Sequence, residues 1–105
     1  MPEPKDDWEA ATWLYVALGD AYFFLEKYEE AVDNFETAGM CPEGMANPFV
    51  LLRLGEAYCE QGKTELAKKH LFEAYMMEGE EIFAEEDEKY WGMVKEVLGE
   101  VPNNN

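Results

Sequence analysis

Residues 18–38 read LGDAYFFLEKYEEAVDNFETA, and a closely similar stretch, LGEAYCEQGKTELAKKHLFEA, follows at residues 54–74. Each shared residue recurs 36 positions later, as Gly19 and Gly55 show. The recurring pairs are Leu18 and Leu54, Gly19 and Gly55, Ala21 and Ala57, Tyr22 and Tyr58, Ala31 and Ala67, Phe35 and Leu71, and Ala38 and Ala74. Self-similarity at a period of this length is the signature of a helical repeat, so we predict that one structural unit is used twice.

The spaced pattern L-G-x-x-Y followed by A-x-x-x-F-x-x-A resembles the tetratricopeptide repeat, whose unit is a helix–turn–helix. The resemblance covers about residues 12–78 and extends more weakly to residue 98. It implies an all-α fold, a right-handed solenoid of helical hairpins with two repeats and a C-terminal capping helix. We therefore expect a single domain over residues 1–105, with repeat 1 at about 12–45, repeat 2 at about 48–79, a capping segment at about 80–98 and a tail at 99–105.

Local signals predict five helices, at about 7–26, 28–38, 48–61, 64–78 and 88–98. Asp6 and Glu9 have the spacing of an N-terminal capping pair, and Asn47 before Pro48 is a second start signal. Thr64 and Asp87 are further cap candidates. Gly39, Gly62 and Gly79 are expected to end the second, third and fourth helices.

The first predicted helix is apolar on two sides, and a helix of this kind must be covered on two sides. One face, expected to pack inside the repeat, carries Leu14, Tyr15, Leu18, Ala21, Tyr22 and Leu25. The second face carries Trp13, Val16, Ala17, Phe23 and Phe24.

The resemblance implies that this second face lines a binding groove, because the first helices of successive repeats form a concave surface for a peptide in this family. The matching positions are Trp13, Val16, Asp20, Phe23 and Phe24 in the first repeat, and Phe49, Leu52, Arg53, Glu56, Cys59 and Glu60 in the second. The best-known members clamp a carboxylate with a lysine and asparagines, where this chain has Val16, Asp20 and Arg53. Recognition of a carboxylate is therefore disfavoured, and an apolar anchor flanked by Lys or Arg is the better complement.

The composition points to the same class of partner. The chain has 24 acidic and 8 basic residues, a net charge of −16, which repels nucleic acid and anionic membranes and favours a basic protein or peptide. A hydrophobic fraction of 48% excludes general disorder. Cys41 and Cys59 form no CxxC motif. The sequence has no leader-like apolar segment at its start, and it has no run of 18 apolar residues. We therefore predict a cytoplasmic location.

We predict no enzymatic activity, no cofactor and no metal site. The single histidine, His70, is expected to face outward without a catalytic partner. Glu56 and Glu60 beside Cys59 would raise the thiol pKa, the wrong direction for a nucleophile. The acidic run at 78–88 lacks the spacing of a calcium loop.

Three functions remain open at this stage. The first is an adaptor whose groove captures a basic partner. The second is an immunity protein that blocks a basic secreted toxin such as a nuclease, using an acidic surface formed by Glu78, Glu80, Glu81, Glu85, Glu86, Asp87 and Glu88. The third is a homo-oligomeric scaffold, with a homodimer formed through Trp13, Phe24 and Phe49.

Overall fold

The computed structural model describes residues 4–41 and 44–100, with side chains described over 10–41 and 45–99. These residues form five α-helices and no strand, which confirms the predicted all-α fold. The helices are α1 (Pro4–Phe24), α2 (Tyr28–Met40), α3 (Pro48–Glu60), α4 (Thr64–Glu78) and α5 (Glu88–Glu100). Short 3₁₀ turns at Gly44–Ala46 and Glu80–Phe83 precede α3 and α5.

The two hairpins, α1–α2 and α3–α4, turn in the same way. The first turn places Glu26 at φ 60°, and the second places Gly62, its counterpart in the repeat, at φ 78°. The amide of Lys27 donates to the Tyr22 carbonyl at 2.9 Å, and the equivalent amide and carbonyl of the second hairpin also lie 2.9 Å apart. The duplicated sequence therefore produces a duplicated turn.

The repeated glycines allow the two helices of each hairpin to approach closely. A Cβ atom at Gly19 would overlap the ring of Phe35, and one at Gly55 would lie 2.7 Å from Leu71 Cγ. Phe35 and Leu71 are fully buried at equivalent positions. Each glycine thus makes room for the large apolar residue of the opposite helix.

The core consists of two adjoining clusters of buried side chains. The first cluster is formed by residues of the first four helices, α1, α2, α3 and α4. Its members are Val16, Ala31, Val32, Phe35, Ala38, Val50, Leu54, Ala57, Tyr58 and Ala67. The second joins α3 and α4 to the C-terminal segment and contains Leu51, Leu52, Leu71, Ala74, Phe83, Tyr90 and Val94. The capping segment is therefore part of the folded core.

Two predicted helix starts are confirmed. Asn47 Oδ1 accepts a hydrogen bond from the Phe49 amide at 2.9 Å, with Pro48 at the first helical position. Asp87 Oδ1 accepts from the Lys89 amide at 3.0 Å at the start of α5.

Three other predictions about helix ends are wrong. α1 begins at Pro4, so Asp6 lies inside the helix rather than before it; a proline at the first helical position needs no amide partner. Gly39 lies within α2, where its missing Cβ leaves space for the Met45 side chain. Thr64 is the first residue of α4 and Lys63 precedes it as the N-cap, because the chain turns into the helix directly after Gly62.

The prediction of which face of α1 packs inside the repeat is also partly wrong. Leu14, Leu18 and Leu25 are exposed, whereas Val16, assigned to the groove, is buried in the core. The reason is the contact of Gly19 with α2, which turns the side of α1 carrying Val16 towards the core. Two residues of the predicted inner face do pack on the core, and both are partly buried: Tyr15 and Tyr22.

Candidate partner-binding groove

An apolar cleft of about 340 Å³ lies between the first helices of the two repeats. It is lined by Trp13, Val16, Ala17 and Asp20 of α1 and by Phe49 and Arg53 of α3. Trp13 and Phe49 occupy equivalent positions in the two repeats, and each is 48% exposed. Val16 lies beneath them as a buried residue of the core. Two accessible aromatic side chains therefore flank a cleft with an apolar floor.

A second, acidic cleft of about 370 Å³ adjoins the first, because Asp20 and Arg53 line both. Its other lining residues are Phe23, Phe24, Glu56, Glu85, Glu86, Asp87 and Tyr90. Phe24 at its edge is 87% exposed. We call the two clefts together the groove; it is apolar at the Trp13 end and acidic at the Glu86 end.

Arg53 connects three parts of the chain where the two clefts meet. Its Nε atom lies 3.3 Å from Asp20 Oδ1 on α1. Its Nη1 atom lies 3.3 Å from Glu56 Oε1 on α3 and 2.9 Å from Glu86 Oε1 in the segment before α5. One guanidinium therefore faces three carboxyl groups, and the protonation of those groups decides the local charge.

Glu56 is the most buried of these carboxyl groups, at 2% exposed. Burial raises its pKa to about 9; Glu86 adds to the rise, and Arg53 opposes it. Its Oε2 atom is buried and has no hydrogen-bond partner among the described residues. The raised pKa favours the neutral form of Glu56, whereas Asp20 and Glu86 are paired with Arg53.

Burial also raises the pKa of Asp20, and the negative charge of Glu86 acts in the same direction. Arg53 opposes both effects, because its positive charge favours the ionised aspartate. Asp20 is about one-third exposed, so it faces the groove while it remains paired with Arg53.

The C-terminal segment covers much of the α3 face that was predicted to be open. Leu52 is fully buried in the cluster that contains Phe83, and Glu56 is buried beside Glu86. Tyr90 donates a hydrogen bond to Glu60 Oε2 at 2.8 Å. Leu52 therefore does not line the groove, because the chain's own cap covers it, and Glu56 lines the acidic cleft only as a buried side chain.

The same segment partly covers the end of α3. Lys89 Nζ lies 2.5 Å from Glu60 Oε2, and Cys59 packs beside both core clusters. Glu60 and Cys59 are therefore only partly accessible. The predicted groove residues that still line the groove with accessible surface are Trp13, Asp20, Phe23, Phe24, Phe49 and Arg53.

The predicted acidic surface is exposed over most of its length. Its exposed members are Glu78, Glu80, Glu81, Glu85, Asp87 and Glu88. Glu86 differs from them because it is largely buried in its ion pair with Arg53. A further cleft of about 370 Å³, lined by Phe83 and Trp91, opens among Glu80, Glu81 and Glu88.

The prediction that His70 faces outward is wrong. His70 is buried, its ring stacks on Tyr58 with centroids 5.7 Å apart, and its Nδ1 atom lies 2.9 Å from Glu73 Oε1. Burial, followed by the charge of Glu60, raises the pKa of the Cys59 thiol, which disfavours the thiolate. Within the described side chains, no group of three His, Cys, Asp or Glu residues is arranged to hold a metal ion.

The link between Arg53 and Glu86 was not predicted from the sequence. The two residues are 33 positions apart, and repeat alignment gives no information about the irregular segment between α4 and α5. One signal was present, because Arg53 is one of only 8 basic residues and falls on the inner face of a repeat helix. An isolated cation at such a position indicates a carboxylate partner.

Residues 14–38 match the family model described as tetratricopeptide repeat. No curated protein and no solved structure matches the chain. In the described part of the chain, no helix combines the length and the apolar character needed to cross a bilayer.

Proposed function

Because the chain carries a tetratricopeptide repeat, a fold that generally binds proteins or peptides and is generally non-enzymatic, we propose that it captures a segment of a partner protein. The segment would lie in the groove and would carry an apolar side chain next to lysine or arginine. The single observation that carries this proposal is the continuity of an aromatic cleft with an acidic one through Asp20 and Arg53.

The apolar end of the groove supplies the anchor site. Trp13 and Phe49 offer large, half-exposed aromatic surfaces on either side of a cleft that has room for one bulky side chain. Buried aromatic contacts of this kind carry most of the binding free energy in protein interfaces. We therefore assign affinity to this end.

The acidic end supplies the preference for a cation. Asp20 and Glu86 share the single positive charge of Arg53, and the exposed Glu85 and Asp87 add two further negative charges. Charges at the rim of an interface raise the association rate and fix the register of the ligand more than they raise affinity. We therefore assign orientation and selectivity for a basic segment to this end.

The test is a calorimetric titration with a synthetic peptide that carries one tryptophan flanked by lysines. We expect binding that Trp13→Ala weakens by about tenfold or more, as for other aromatic anchors. Met76→Ala is the matched control, because Met76 is an exposed apolar residue on α4, away from the groove. A peptide with glutamate in place of lysine should not bind. The proposal would be rejected if the lysine and glutamate peptides bound equally well. It would also be rejected if Trp13→Ala and Met76→Ala lost the same amount of affinity for the lysine peptide.

A toxin-blocking role is the second candidate, favoured by the cleft lined by Phe83 and Trp91 among exposed glutamates. A carboxylate-rich surface can occupy the cationic active site of a nuclease. Binding of this kind depends mainly on charge, so strong salt should abolish it, whereas groove binding through Trp13 should lose only part of its affinity. Titration of the chain with a basic ribonuclease at low and high salt distinguishes toxin blocking from groove binding.

A further inference from the structure

The inner end of the acidic cleft holds a carboxyl oxygen that lacks a hydrogen-bond donor. The side chain of Glu56 is only 3% exposed, yet it lines this cleft. Its Oε2 atom is buried and has no partner within the described part of the chain. A buried carboxyl oxygen without a donor costs free energy, because it has lost its contact with water and gained no other hydrogen bond. The position therefore suits a donor that a ligand supplies.

Arg53 does not supply this donor. Its Nη1 atom lies 2.9 Å from Glu86 Oε1 and 3.3 Å from Glu56 Oε1, and its Nε atom lies 3.3 Å from Asp20 Oδ1. Glu86, beside Glu56, is itself an acceptor, so a hydrogen bond between these two carboxyl groups requires a proton. The guanidinium is thus divided among three carboxyl groups, and Glu56 Oε2 still has no donor.

The charge of the cleft sets the sign of the ligand. Apart from Arg53, the charged or titratable carboxyl groups that line it are those of Asp20, Glu56, Glu85, Glu86 and Asp87. Even when Glu56 is protonated, four carboxylates face one guanidinium, so the cleft attracts a cation. A metal ion is the poorer candidate, because the side chains that the structure describes include no group of three His, Cys, Asp or Glu placed to hold one.

An ammonium group on a long chain fits the cleft better than a guanidinium does. The acceptor without a donor is a single oxygen, which a compact point charge can reach, whereas the planar fork of arginine matches two acceptors side by side. The cleft of about 370 Å³ is also lined by Phe23 and Phe24, whose apolar surface can cover methylene groups. A lysine side chain has both the point charge and the apolar stem.

We propose that the acidic cleft is a pocket for a lysine side chain of the partner, and that Glu56 accepts the ammonium group of this lysine. The pocket rests on the proposed function, since it takes the partner segment to lie in the groove, and it adds the residue that selects lysine. This lysine lies next to the apolar anchor, because Asp20 and Arg53 line both clefts.

Binding of the ammonium group replaces a proton on Glu56. Burial is the main cause of the raised pKa of this residue, about 9, which favours the neutral form. An ammonium group within hydrogen-bond distance favours the ionised form, so binding releases a proton to solvent, and affinity rises as the pH approaches 9. The other titratable or charged groups around Glu56 are Asp20 on α1, Arg53 and Cys59 on α3, Glu85, Glu86 and Asp87 before α5, and Tyr90 on α5.

The test is an NMR titration of the full chain, labelled with ¹³C in its glutamate carboxyl groups, with N-acetyl-lysine methylamide as the probe. This probe has no aromatic group, so it tests the pocket whether or not Trp13 anchors a partner. N-acetyl-norleucine methylamide is the neutral control. We expect the lysine probe to move the Glu56 carboxyl signal towards the ionised form and the norleucine probe to leave it unchanged.

Two variants show whether the response depends on Glu56. Glu56→Gln, which also assigns the signal, should lower the affinity for the lysine probe by about tenfold and remove its rise with pH. Glu65→Gln is the matched control, because it removes an exposed carboxylate from α4, outside the groove, and it should behave as the wild type. Circular dichroism shows whether each variant is folded; should Glu56→Gln unfold the chain, the carboxyl signal of the wild type decides the question.

A Glu56 signal that ignores the lysine probe, or that responds equally to norleucine, would overturn the pocket and leave anchoring at Trp13 intact. Equal affinities of Glu56→Gln and Glu65→Gln for the lysine probe would also overturn it. Conversely, a response of Glu56 to lysine, together with peptide binding that does not depend on Trp13, would support the pocket and reject the proposed function alone.

Discussion

Arg53 donates a hydrogen bond from Nη1 to Glu86 Oε1 at 2.9 Å, across 33 residues of sequence. This contact joins the second repeat to the segment that caps it. The same guanidinium reaches Asp20 on α1, so one side chain holds the two repeats and the cap at the groove.

The first prediction concerns this cation. Arg53→Met should lower the free energy of unfolding by about 1–3 kcal/mol, because it leaves partly buried carboxylates without their charged donor. Lys69→Met, on the exposed side of α4, should change stability by less than about 0.5 kcal/mol. Urea denaturation of the two variants and the wild type makes the comparison. Equal stability of Arg53→Met and the wild type would show that the contact contributes nothing.

The second prediction concerns pH. The pKa of Glu56 in the folded chain is raised from 4.5 to about 9, so the folded state binds a proton that the unfolded state releases. This contribution to stability is complete below pH 4.5 and is lost as the pH rises to about 9, with a slope of at most about 1.4 kcal/mol per pH unit. Glu56→Gln keeps a neutral side chain at every pH. The stability of this variant relative to the wild type should therefore increase from pH 5 to pH 9.

The measurement is urea denaturation at several pH values. Subtraction of the wild-type curve from the variant curve removes the titration of groups common to both. If the stability of Glu56→Gln and that of the wild type changed with pH in parallel, Glu56 would have an ordinary pKa, contrary to the geometry around Arg53.

The third prediction concerns the two hairpin turns. Glu26 has a left-handed backbone, φ 60°, which an L side chain disfavours, whereas Gly62 has the same conformation without that cost. Glu26→Gly should raise the free energy of unfolding by about 0.5–1 kcal/mol, and Gly62→Ala should lower it by about 1 kcal/mol. Thermal unfolding followed by circular dichroism measures both. A less stable Glu26→Gly variant would show that the Glu26 side chain stabilises the turn.

The fourth prediction compares glycines inside helices. Gly55→Ala should destabilise the chain by about 1–3 kcal/mol, because the new methyl group would overlap Leu71. Gly92→Ala in α5 should stabilise it by up to about 1 kcal/mol, since nothing lies within 4 Å of its Cβ position and alanine is the better helix former. Chemical denaturation of both variants tests the pair. A destabilising Gly92→Ala would mean that a helix packs on α5 in solution.

Sequence pattern alone predicted the five helices, because apolar residues at helical spacing and local start signals are properties of the sequence itself. The prediction of which side of α1 faces the core was partly wrong. Helix α1 is apolar on two sides. The contact between Gly19 and Phe35 decides which of the two sides faces the core.

The groove was predicted in part for a similar reason. Trp13 and Phe49 follow from the repeat register, and they line a cleft together. The burial of Leu52 and Glu56 was not predicted, because the segment around Phe83 and Glu86 has no counterpart in the first repeat. Its path over α3 depends on tertiary contacts that periodicity does not encode.

The most direct test of the central claim is an NMR titration of the ¹⁵N-labelled chain with the tryptophan–lysine peptide. Binding in the groove predicts that amide signals of residues 13–24 and 49–53 shift together, while those on the outer side of α4 do not move. Shifts confined to residues 78–88, with the amides of residues 13–24 unchanged, would contradict the claim and place recognition on the acidic surface instead.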